Sequence, residues 1–461
     1  MAQGGKMAQA ASRTGVLVIV QNLPVPLDRR VWLECQALTA QRYSVSVICP
    51  KGPGDPSYQE IDGVAIYKYA PAPQAAGLVG FVVEFAYSWV RTALLSLRVR
   101  RRRRFDVIQA CNPPDTYWLL ARMWRWRGVR FVFDHHDLNP ELYLSRFGKP
   151  TTWARRAQLR GLYWLERMTY HTADRVISTN DSYKAVAERR GGLASELVTV
   201  VRSGPDTTVM RPVYPDPSIR EGAEHLLVYL GIMGPQDGVE NVLAVVDELV
   251  HRRGRRKMRA VLMGFGDCLE HLKKECTKLQ LDDNVRFTGR VGPADIAQYL
   301  SAADLGLGPD PKTPLNDIST MNKTMEYMAY GLPSVSFDLV ETRASAGDTG
   351  AFVPSGDIKG FADAIETLLD DPQRRVKLGL AARKRVAEKL DWMPQAVTYV
   401  GVFDGLLGNP PNAARLSAWP HRKPELPAPE ASKQRLVDLD DEAELRRFLR
   451  DRTDVRAAAE A

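Results

Sequence analysis

Two adjacent histidines, set among acidic residues, are the first side chains in this sequence that could do chemistry. The segment from Phe131 to Glu141 reads FVFDHHDLNPE, so a strand-like run delivers His135 and His136 into the loop that follows it. Parallel α/β sheets build their sites at that edge. Neighbouring side chains on an extended backbone point to opposite sides, so we expect one histidine to face a ligand and the other to pack against its own domain. The pattern does not decide which, and it competes with an ordinary interpretation in which a histidine only satisfies backbone groups.

Three glycines follow a strand-like run further along the chain. The segment from Val228 reads VYLGIMGPQDG, with Gly231, Gly234 and Gly238 placed before a helix expected from Val239. Glycines let backbone amides approach a phosphate, and a helix N-terminus adds partial positive charge. The spacing is not that of a dinucleotide fingerprint. A tight structural turn explains the glycines equally well.

A third segment places a lysine and a glutamate on one helix. It begins at Asn316 and reads NDISTMNKTMEYMAYGLP. Ser319 or Thr320 is expected to cap a helix that stops before the final proline. Lys323 and Glu326 are three residues apart and share a helix face. They form either an ordinary surface ion pair or a site in which Lys323 meets a diphosphate and Glu326 a ribose.

The elements that must position these residues follow an alternating α/β pattern. Short β-branched runs alternate with helical stretches, which indicates parallel sheets. Two Rossmann-like domains are expected, separated by a linker in which the sequence RPVYPDP holds three prolines. They should face each other across a cleft, where the carboxyl ends of both sheets contact one ligand. The expected boundaries are a flexible N-terminus at 1–14, a first domain at 15–208, the linker at 209–225, a second domain at 226–390, a crossing helix at 391–408 and a tail at 409–461 that is disordered apart from a short helix near 441–450.

Composition narrows the class of protein. The chain has 461 residues, of which 44% are hydrophobic and 26% charged, so wholesale disorder and a polytopic membrane protein are excluded. Its five cysteines form no CxxC pair, which argues against a disulfide framework and a zinc ribbon and favours a reducing compartment. No signal-peptide pattern precedes the first strand, so we expect a cytoplasmic protein.

The positive charge of the chain is concentrated locally. The formal net charge is +8, and Arg98 with Arg100 to Arg104 puts six arginines into seven positions. They follow Leu78 to Leu97, a mostly apolar stretch whose polar interruptions indicate an amphipathic helix and not a membrane span. Two interpretations stay open: the helix lies on an anionic membrane surface, or it is buried against the sheet. No nucleic-acid recognition module accompanies the arginines, so no nucleic-acid partner is expected.

The combined order of motifs resembles the retaining glycosyltransferases of family 4, which have the GT-B fold. The resemblance covers about residues 15–407. Within this family, the motifs resemble most the subgroup that builds bacterial polysaccharide or lipid-linked oligosaccharide. The matching segments are DRRVWLECQAL from Asp28, FDVIQACNPPD from Phe105, DHHD from Asp134, SGPD from Ser203, the loop from Gly231 to Gly238, FTGR ending at Arg290, and EYMAYGLP from Glu326.

The resemblance assigns roles to matching residues. In the E-x7-E pattern of the family, the second acid falls on Glu326, which is expected to bind the ribose. The first falls on Ile318, so Asp317 or Asn316 is expected to contact the donor sugar instead. The glycine loop lacks the arginine and lysine that commonly hold the diphosphate, so Lys323 and Arg290 are expected to compensate. The remaining expected residues are His135 or His136 at the reacting sugar or phosphate, Ser319 on the donor side, and Asn22, Arg30, Asn112, Asp115 and Asp137 on the acceptor side or in the cleft.

The resemblance implies a retaining transferase that moves a hexose or N-acetylhexosamine from a nucleotide sugar to a lipid-linked or saccharide acceptor, and a UDP-sugar is expected in preference to a GDP-sugar. No metal or other cofactor is expected, because basic side chains and helix dipoles can stabilise the leaving diphosphate. A nucleotide-sugar epimerase is disfavoured because the donor loop has lost charge. A catalytically weakened scaffold in a polysaccharide assembly complex is the alternative from another class, motivated by Ile318 and the missing loop cations.

Overall fold

The computed structural model of the protein describes residues 14–72, 77–409 and 435–452. Within these residues the chain divides into two compact units. The first unit comprises the described residues of 14–140, 151–201 and 396–409, and the second comprises 141–150, 202–395 and 435–452. Each unit is built on its own largely parallel sheet with helices packed against it, and this confirms the predicted α/β fold class.

The first unit has an eight-stranded sheet in the order β3-β4-β2-β1-β5-β6-β7-β8. All neighbours are parallel except β3 and β4, which form an antiparallel pair at one edge. That edge strand is short, and its residues alternate between exposed and half-buried. Its apolar pattern is therefore weak, and the strand was not predicted from the sequence. The strands are β1 Gly15–Ile19, β2 Ser44–Pro50, β3 Tyr58–Ile61, β4 Val64–Tyr69, β5 Val107–Cys111, β6 Arg130–His135, β7 Arg175–Ser178 and β8 Val198–Val200.

The helices in this part of the chain connect those strands. Asp28 caps the first helix by accepting a hydrogen bond from the Val31 amide, as the local sequence favours. Buried aliphatic and aromatic residues of the central strands form the core together with Tyr170 and Trp124. The helices are α1 Arg29–Ala40, α2 Gly77–Arg102, α3 Trp118–Arg125, α4 Asn139–Phe147, α5 Trp153–Thr172 and α6 Asp181–Gly191.

The second unit has a six-stranded sheet, all of whose neighbouring strands are parallel, in the order β11-β10-β9-β12-β13-β14. The strands are β9 His225–Leu230, β10 Met258–Met263, β11 Val285–Gly289, β12 Leu305–Gly308, β13 Ser334–Phe337 and β14 Ala351–Val353. The helices of this unit are α7 Val239–Asp247, α8 Leu269–Lys278, α9 Pro293–Ala302, α10 Asn322–Ala329, α11 Val340–Ala346, α12 Ile358–Leu369, α13 Pro372–Arg385 and, after α14, α15 Glu442–Asp451. Helix α14, Trp392–Leu407, belongs to the first unit from Ala396 onward.

A C-terminal segment folds onto the second unit. Residues 435–452 lie in the stretch expected to be a disordered tail, yet Leu436 bridges to Val213 and α15 forms where the short helix was expected. Phe448 and Leu449 of α15 are buried in a small apolar cluster. The apolar side chains that recur along one face of this short helix hold the segment against the second unit. The rest of the expected tail, and residues 1–13, lie outside the described residues.

Candidate functional site

The site of the first unit is a buried polar cluster around Asp134, the penultimate residue of β6. Its carboxylate accepts hydrogen bonds from Arg30 Nη2 at 3.1 Å, from Gln109 Nε2 at 2.9 Å and from His136 Nε2 at 2.7 Å. Burial alone would raise the pKa of Asp134, but the charges of His136 and Arg30 outweigh burial and hold that pKa well below its usual range. Asp134 is therefore the ionised centre of the cluster.

Glu34 from α1 lies beside Asp134 and shares its partners. Gln109 Nε2 donates to Glu34 at 2.8 Å, and Arg30 Nε lies 2.9 Å from the other Glu34 oxygen. Burial, and then the charge of Asp134, raise the pKa of Glu34 well above its usual value. Glu34 is therefore the protonated, uncharged member of the pair. The positive charge of Arg30 balances the negative charge of Asp134. Tyr399 of α14 donates to Gln109 Oε1 at 2.5 Å and fixes the orientation of that amide.

The two predicted histidines have different environments. His135 is fully buried, stacks on Phe133 at a centroid distance of 5.3 Å and meets Tyr170 edge-on. Burial lowers the pKa of His135 to about 3, so the ring is neutral. The expected inward-packing histidine is thus His135. Its Nε2 has no hydrogen-bond partner among the described residues.

His136 stays 16% exposed and is held from two sides. Its Nε2 lies 2.7 Å from Asp134 Oδ2, so the carboxylate fixes the orientation of the ring. Arg30 Nε lies 3.1 Å from the same nitrogen and 2.9 Å from Glu34 Oε1. Asn112 Oδ1 accepts from the amides of His136 and Asp137, at 2.7 and 3.1 Å. The predicted acceptor-side residue Asn112 therefore positions the histidine loop.

The other predicted acceptor-side residues spread around this cluster. Asn22 is exposed, and Asp137 is partly buried beside the Asn112 clamp. Asp115 is buried, accepts from Asn139 Nδ2 at 2.5 Å, and has its pKa raised to about 7 by burial. Its other oxygen, Oδ1, has no hydrogen-bond partner in the described part of the chain. Arg30 is the one of these residues whose side chain reaches the Asp134 carboxylate.

Four ligand-type side chains of the cluster could be considered for a metal ion. Ligand atoms of Glu34, Cys111, Asp134 and His136 all lie within 4.8 Å of one another. The Arg30 guanidinium already supplies positive charge to both carboxylates. Burial, and then the charge of Asp134, raise the pKa of the Cys111 thiol, whereas a metal needs the thiolate. The residues present fit an arginine-neutralised network better than a metal site.

The glycine loop of the second unit closes on itself. Asp237 Oδ2 accepts from the Gly234 amide at 2.9 Å, and Gly238 adopts a φ of +62° just before α7. A Cβ atom at Gly238 would lie 2.6 Å from Pro311 Cδ, so this position needs glycine. Asn316 Nδ2 joins the loop to the segment after β12 by donating to Gln236 O at 2.8 Å. The loop is a tight turn braced by its own aspartate.

Lys323 lies under this loop and is already paired. Its Nζ is 2.5 Å from Asp310 Oδ1 and 5.2 Å from the centre of the Tyr229 ring, and the side chain is 8% exposed. Burial lowers the pKa of Lys323, but Asp310 and Asp237 outweigh burial and raise it, so the ammonium is charged. A Cβ atom at Gly231 would lie 3.2 Å from Lys323 Cε, which places the lysine stem directly against the loop.

Helix α10 begins later than predicted. Its N-cap is Met321 and no side chain caps it, so the predicted Ser319 or Thr320 cap is wrong. Ser319 instead donates its hydroxyl to Leu315 O at 2.8 Å, because the preceding residues form a short 3₁₀ turn. Lys323 therefore sits in the first turn of α10, and Glu326, which is also buried, lies one turn further along.

The remaining predicted donor-side residues lie apart from Lys323. Asp317 accepts from the Val340 amide at 3.0 Å and from Lys312 at 3.3 Å. Arg290 is exposed and stacks over Phe265 at 5.6 Å. Sequence reasoning missed Glu34, Gln109, Asp310 and Tyr399. For Glu34 a signal was present, since it falls on the buried stripe of α1 with Val31, Cys35 and Leu38.

Comparisons with known proteins find similarity to glycosyltransferases in both halves of the chain. A family model described as Glycosyltransferase Family 4 matches residues 27–209, and one described as Glycosyl transferases group 1 matches residues 224–371. Glycogen synthase of Mycobacterium tuberculosis (strain ATCC 25618 / H37Rv) is 24% identical over 392 residues, covering 82% of this chain and 90% of its own. Sucrose-phosphate synthase of Thermosynechococcus elongatus superposes with a TM-score of 0.69 at 19% identity, over 86% of this chain and 100% of that one. Anabaena Alr3699/HepE in complex with UDP and glucose gives 0.62 at 16% identity, with the same coverages.

Proposed function

We propose that this chain, which belongs to the family 4 and group 1 glycosyltransferases and has their GT-B fold, moves a hexose or N-acetylhexosamine from a UDP-sugar to a lipid-linked or saccharide acceptor in cell-surface polysaccharide synthesis. A nucleotide-sugar donor agrees with a structural neighbour that holds UDP and glucose. UDP as the nucleotide, the acceptor class, retention of configuration and independence from metal are all parts of what we propose.

One observation in the second unit supports the donor site best. Helix α10 starts without a side-chain cap, and its first turn carries the buried, charged Lys323 directly beneath Gly231. An uncapped helix start and a lysine together offer positive charge to an anion. Asp310 holds the ammonium in place before the donor arrives. We assign the diphosphate to this point and the ribose hydroxyls to Glu326, one turn along.

The transfer step makes and breaks two bonds. The bond between the anomeric carbon and the donor diphosphate breaks, while the acceptor hydroxyl oxygen bonds to the same face of that carbon. The hydroxyl proton passes to the leaving phosphate, so no protein nucleophile is needed. Lys323 and the start of α10 stabilise the negative charge that grows on the diphosphate.

Of the two histidines, we assign His136 to the reacting sugar or phosphate. His135 is buried among aromatic rings, and burial lowers its pKa to about 3, so we assign it a structural role. His136 is partly exposed, and Asp134 and Asn112 fix its ring and its backbone. This arrangement holds the His136 imidazole in one orientation while leaving it partly exposed.

The purified full chain tests the proposal when it is mixed with UDP-sugars and GDP-sugars, in magnesium and in EDTA. We expect UDP to raise the melting temperature more than GDP, and nucleoside diphosphate to be released equally in both buffers. Product anomers read by NMR should keep the donor configuration. Loss of release in EDTA would refute metal independence. Stabilisation by UDP with no release from any donor would favour the scaffold alternative, for which the carboxylates beside Lys323 and the apolar Ile318 are the motivating features.

A further inference from the structure

Three helices of the first unit carry large apolar side chains that the core does not use. On α2 these are Val90, Leu94 and Leu97, and on α3 with its C-cap residue they are Leu119, Met123 and Trp126, all of them exposed. Both sets are spaced by four and three residues, which puts each set on one helix face. Trp126 is 93% exposed, so the surface formed by these side chains is open to solvent and is not a partly covered margin of the core.

Helix α5 continues the same surface. Trp153 is 83% exposed and Trp164 is 54% exposed, and their separation of eleven residues returns them to one face. Trp164 meets Trp118 of α3 edge-on at 5.8 Å, and Trp124 of α3 donates to Ser96 of α2 at 3.1 Å. The three helices are therefore neighbours.

The sheet order puts them on one side of the unit. The connections β4 to β5, β5 to β6 and β6 to β7 all step in the same direction across the sheet, and they contain α2, α3 and α5. Right-handed crossovers then place these helices on one face of the sheet. We call the outer surface formed by Leu94, Leu97, Met123, Trp126, Trp153 and Trp164 the tryptophan face.

Exposed arginines far outnumber exposed acids on the three helices that carry the tryptophan face. Exposed arginines on these helices are Arg91, Arg98, Arg101, Arg122, Arg160 and Arg167, and none of them pairs with a carboxylate in the described part of the chain. Two acids lie on these helices: Glu84 of α2, which is exposed, and Glu166 of α5, which is buried and paired with Arg190. Helix α3 has no acidic residue. The surface is both apolar and strongly positive.

The predicted arginine run contributes only in part. Arg100 donates to Phe105 O, Arg103 pairs with Glu60 at 2.7 Å, and Arg104 pairs with Asp106 at 3.2 Å. Half of the run is thus occupied within the unit, while α3 and α5 supply cations that the sequence pattern did not single out. Helix α2 itself packs its inner side, including Trp89, against the core. No helix in the described residues is long and apolar enough to cross a bilayer.

We propose that the tryptophan face docks on the surface of a membrane that contains anionic lipids. Tryptophan prefers the headgroup region, aliphatic side chains gain from the acyl boundary, and each nearby arginine is attracted by anionic headgroups. A nucleic acid would use the arginines and stack on tryptophans, but it would leave Leu94, Leu97 and Met123 in water. The inference does not depend on the identity of donor or acceptor.

Vesicle sedimentation with the full chain tests the docking surface. The vesicles are phosphatidylcholine alone, or phosphatidylcholine with 30% phosphatidylglycerol, at physiological salt. One variant replaces Arg98, Arg101, Arg122 and Arg160 by serine, and a second replaces Met123, Trp126 and Trp164 by serine. The matched control replaces four exposed cations of the second unit, Lys274, Arg374, Lys377 and Lys389, by serine and so removes the same charge.

We expect the wild type and the control to bind the anionic vesicles, and each face variant to bind at least tenfold more weakly. Equal losses in the control and the arginine variant would show a mere net-charge effect and overturn the proposal. So would failure of the wild type to sediment, or competition by a 40-nucleotide RNA at concentrations below those of the lipid. Melting curves with UDP report on the donor site separately, so failure here and failure of the proposed function are distinguishable.

Discussion

Replacing Asp134 by asparagine should cost the first unit far more stability than replacing Glu34 by glutamine, although both changes remove one carboxyl group from the same buried cluster. The reason is their protonation. Asp134 is ionised by the charges of His136 and Arg30, whereas burial and Asp134 itself raise the pKa of Glu34, so that Glu34 is already neutral. An amide imitates a protonated carboxyl group but not a carboxylate.

The contacts set the size of the difference. Asp134 accepts from Arg30, Gln109 and His136, and an asparagine keeps only one acceptor atom while turning its own NH₂ toward donors. Removing one partner of a buried ion pair costs about 3–5 kcal/mol. Glutamine at position 34 can still accept from Arg30 or Gln109 and donate to Asp134, so its cost should stay below about 1 kcal/mol.

Thermal melting at pH 7, together with hydrogen exchange of β5 and β6 amides, measures both variants against the wild type. Asp134→Asn should lower the melting temperature and speed exchange in those strands, while Glu34→Gln should leave both nearly unchanged. A raised carboxyl pKa also means that Glu34 stabilises the fold at low pH and loses this contribution as the pH rises through its folded pKa. Glu34→Gln should therefore flatten the decline in stability that begins as the pH rises above the ordinary value of 4.5. Equal destabilisation by the two variants would refute the assignment of the proton to Glu34.

The other predictions concern pH, the donor and the loop. His135, with its pKa lowered to about 3, stabilises the fold above the ordinary value of about 6.5 and loses that contribution as the pH falls, so His135→Phe should flatten the decline in melting temperature between pH 6.5 and 4. Asp115 has the opposite sign, because its pKa is raised to about 7; Asp115→Asn should flatten the change between pH 4 and 7, and an unchanged profile would show that Asp115 titrates normally. Glu326→Gln should weaken UDP binding by roughly 10- to 150-fold in calorimetry, the equivalent of about 1.5–3 kcal/mol for charge-assisted hydrogen bonds. Lys323→Ala combined with Asp310→Asn should hurt UDP more than uridine, with the exposed Lys312→Ala as control; equal losses for both ligands would make Lys323 structural. Gly238→Ala should lower the melting temperature of the second unit by an amount equivalent to about 1–3 kcal/mol, and Gly234→Ala by less, because a Cβ there meets only side-chain ends.

Much of the fold was predictable because parallel strands are short, β-branched and buried on both faces. The strands from β1 to β14 were found that way, apart from the half-exposed edge strand β3. The start of α10 was misplaced because capping residues compete locally: Ser319 bonds back to Leu315 within a 3₁₀ turn and is not available to the helix. Hydrogen-bond choices of this kind depend on the fold around them.

The site was predictable only in its separate pieces. The sequence places His136 after a strand and Lys323 on a helix, but it does not show that Asp134 orients the one and Asp310 the other. Those partners come from positions 2 and 13 residues away, and Glu34 lies a hundred residues before Asp134. Spacing along the chain carries no information about such contacts until the strands are ordered in the sheet.

The C-terminal segment has a practical consequence for anyone who shortens this chain. Arg452, after the end of α15, donates to the carbonyl oxygens of Tyr330 and Gly331 at 3.2 and 2.8 Å, so it completes the end of the helix whose first turn holds Lys323. That arginine lies about eighty residues beyond the matched family segment, which ends at residue 371. Trimming the protein at the family boundary would therefore expose the rear of α10, and it would remove α13 and α14 together with α15. Weak nucleotide binding by such a trimmed protein would report on the missing C-terminal helices and not on the donor preference of the enzyme.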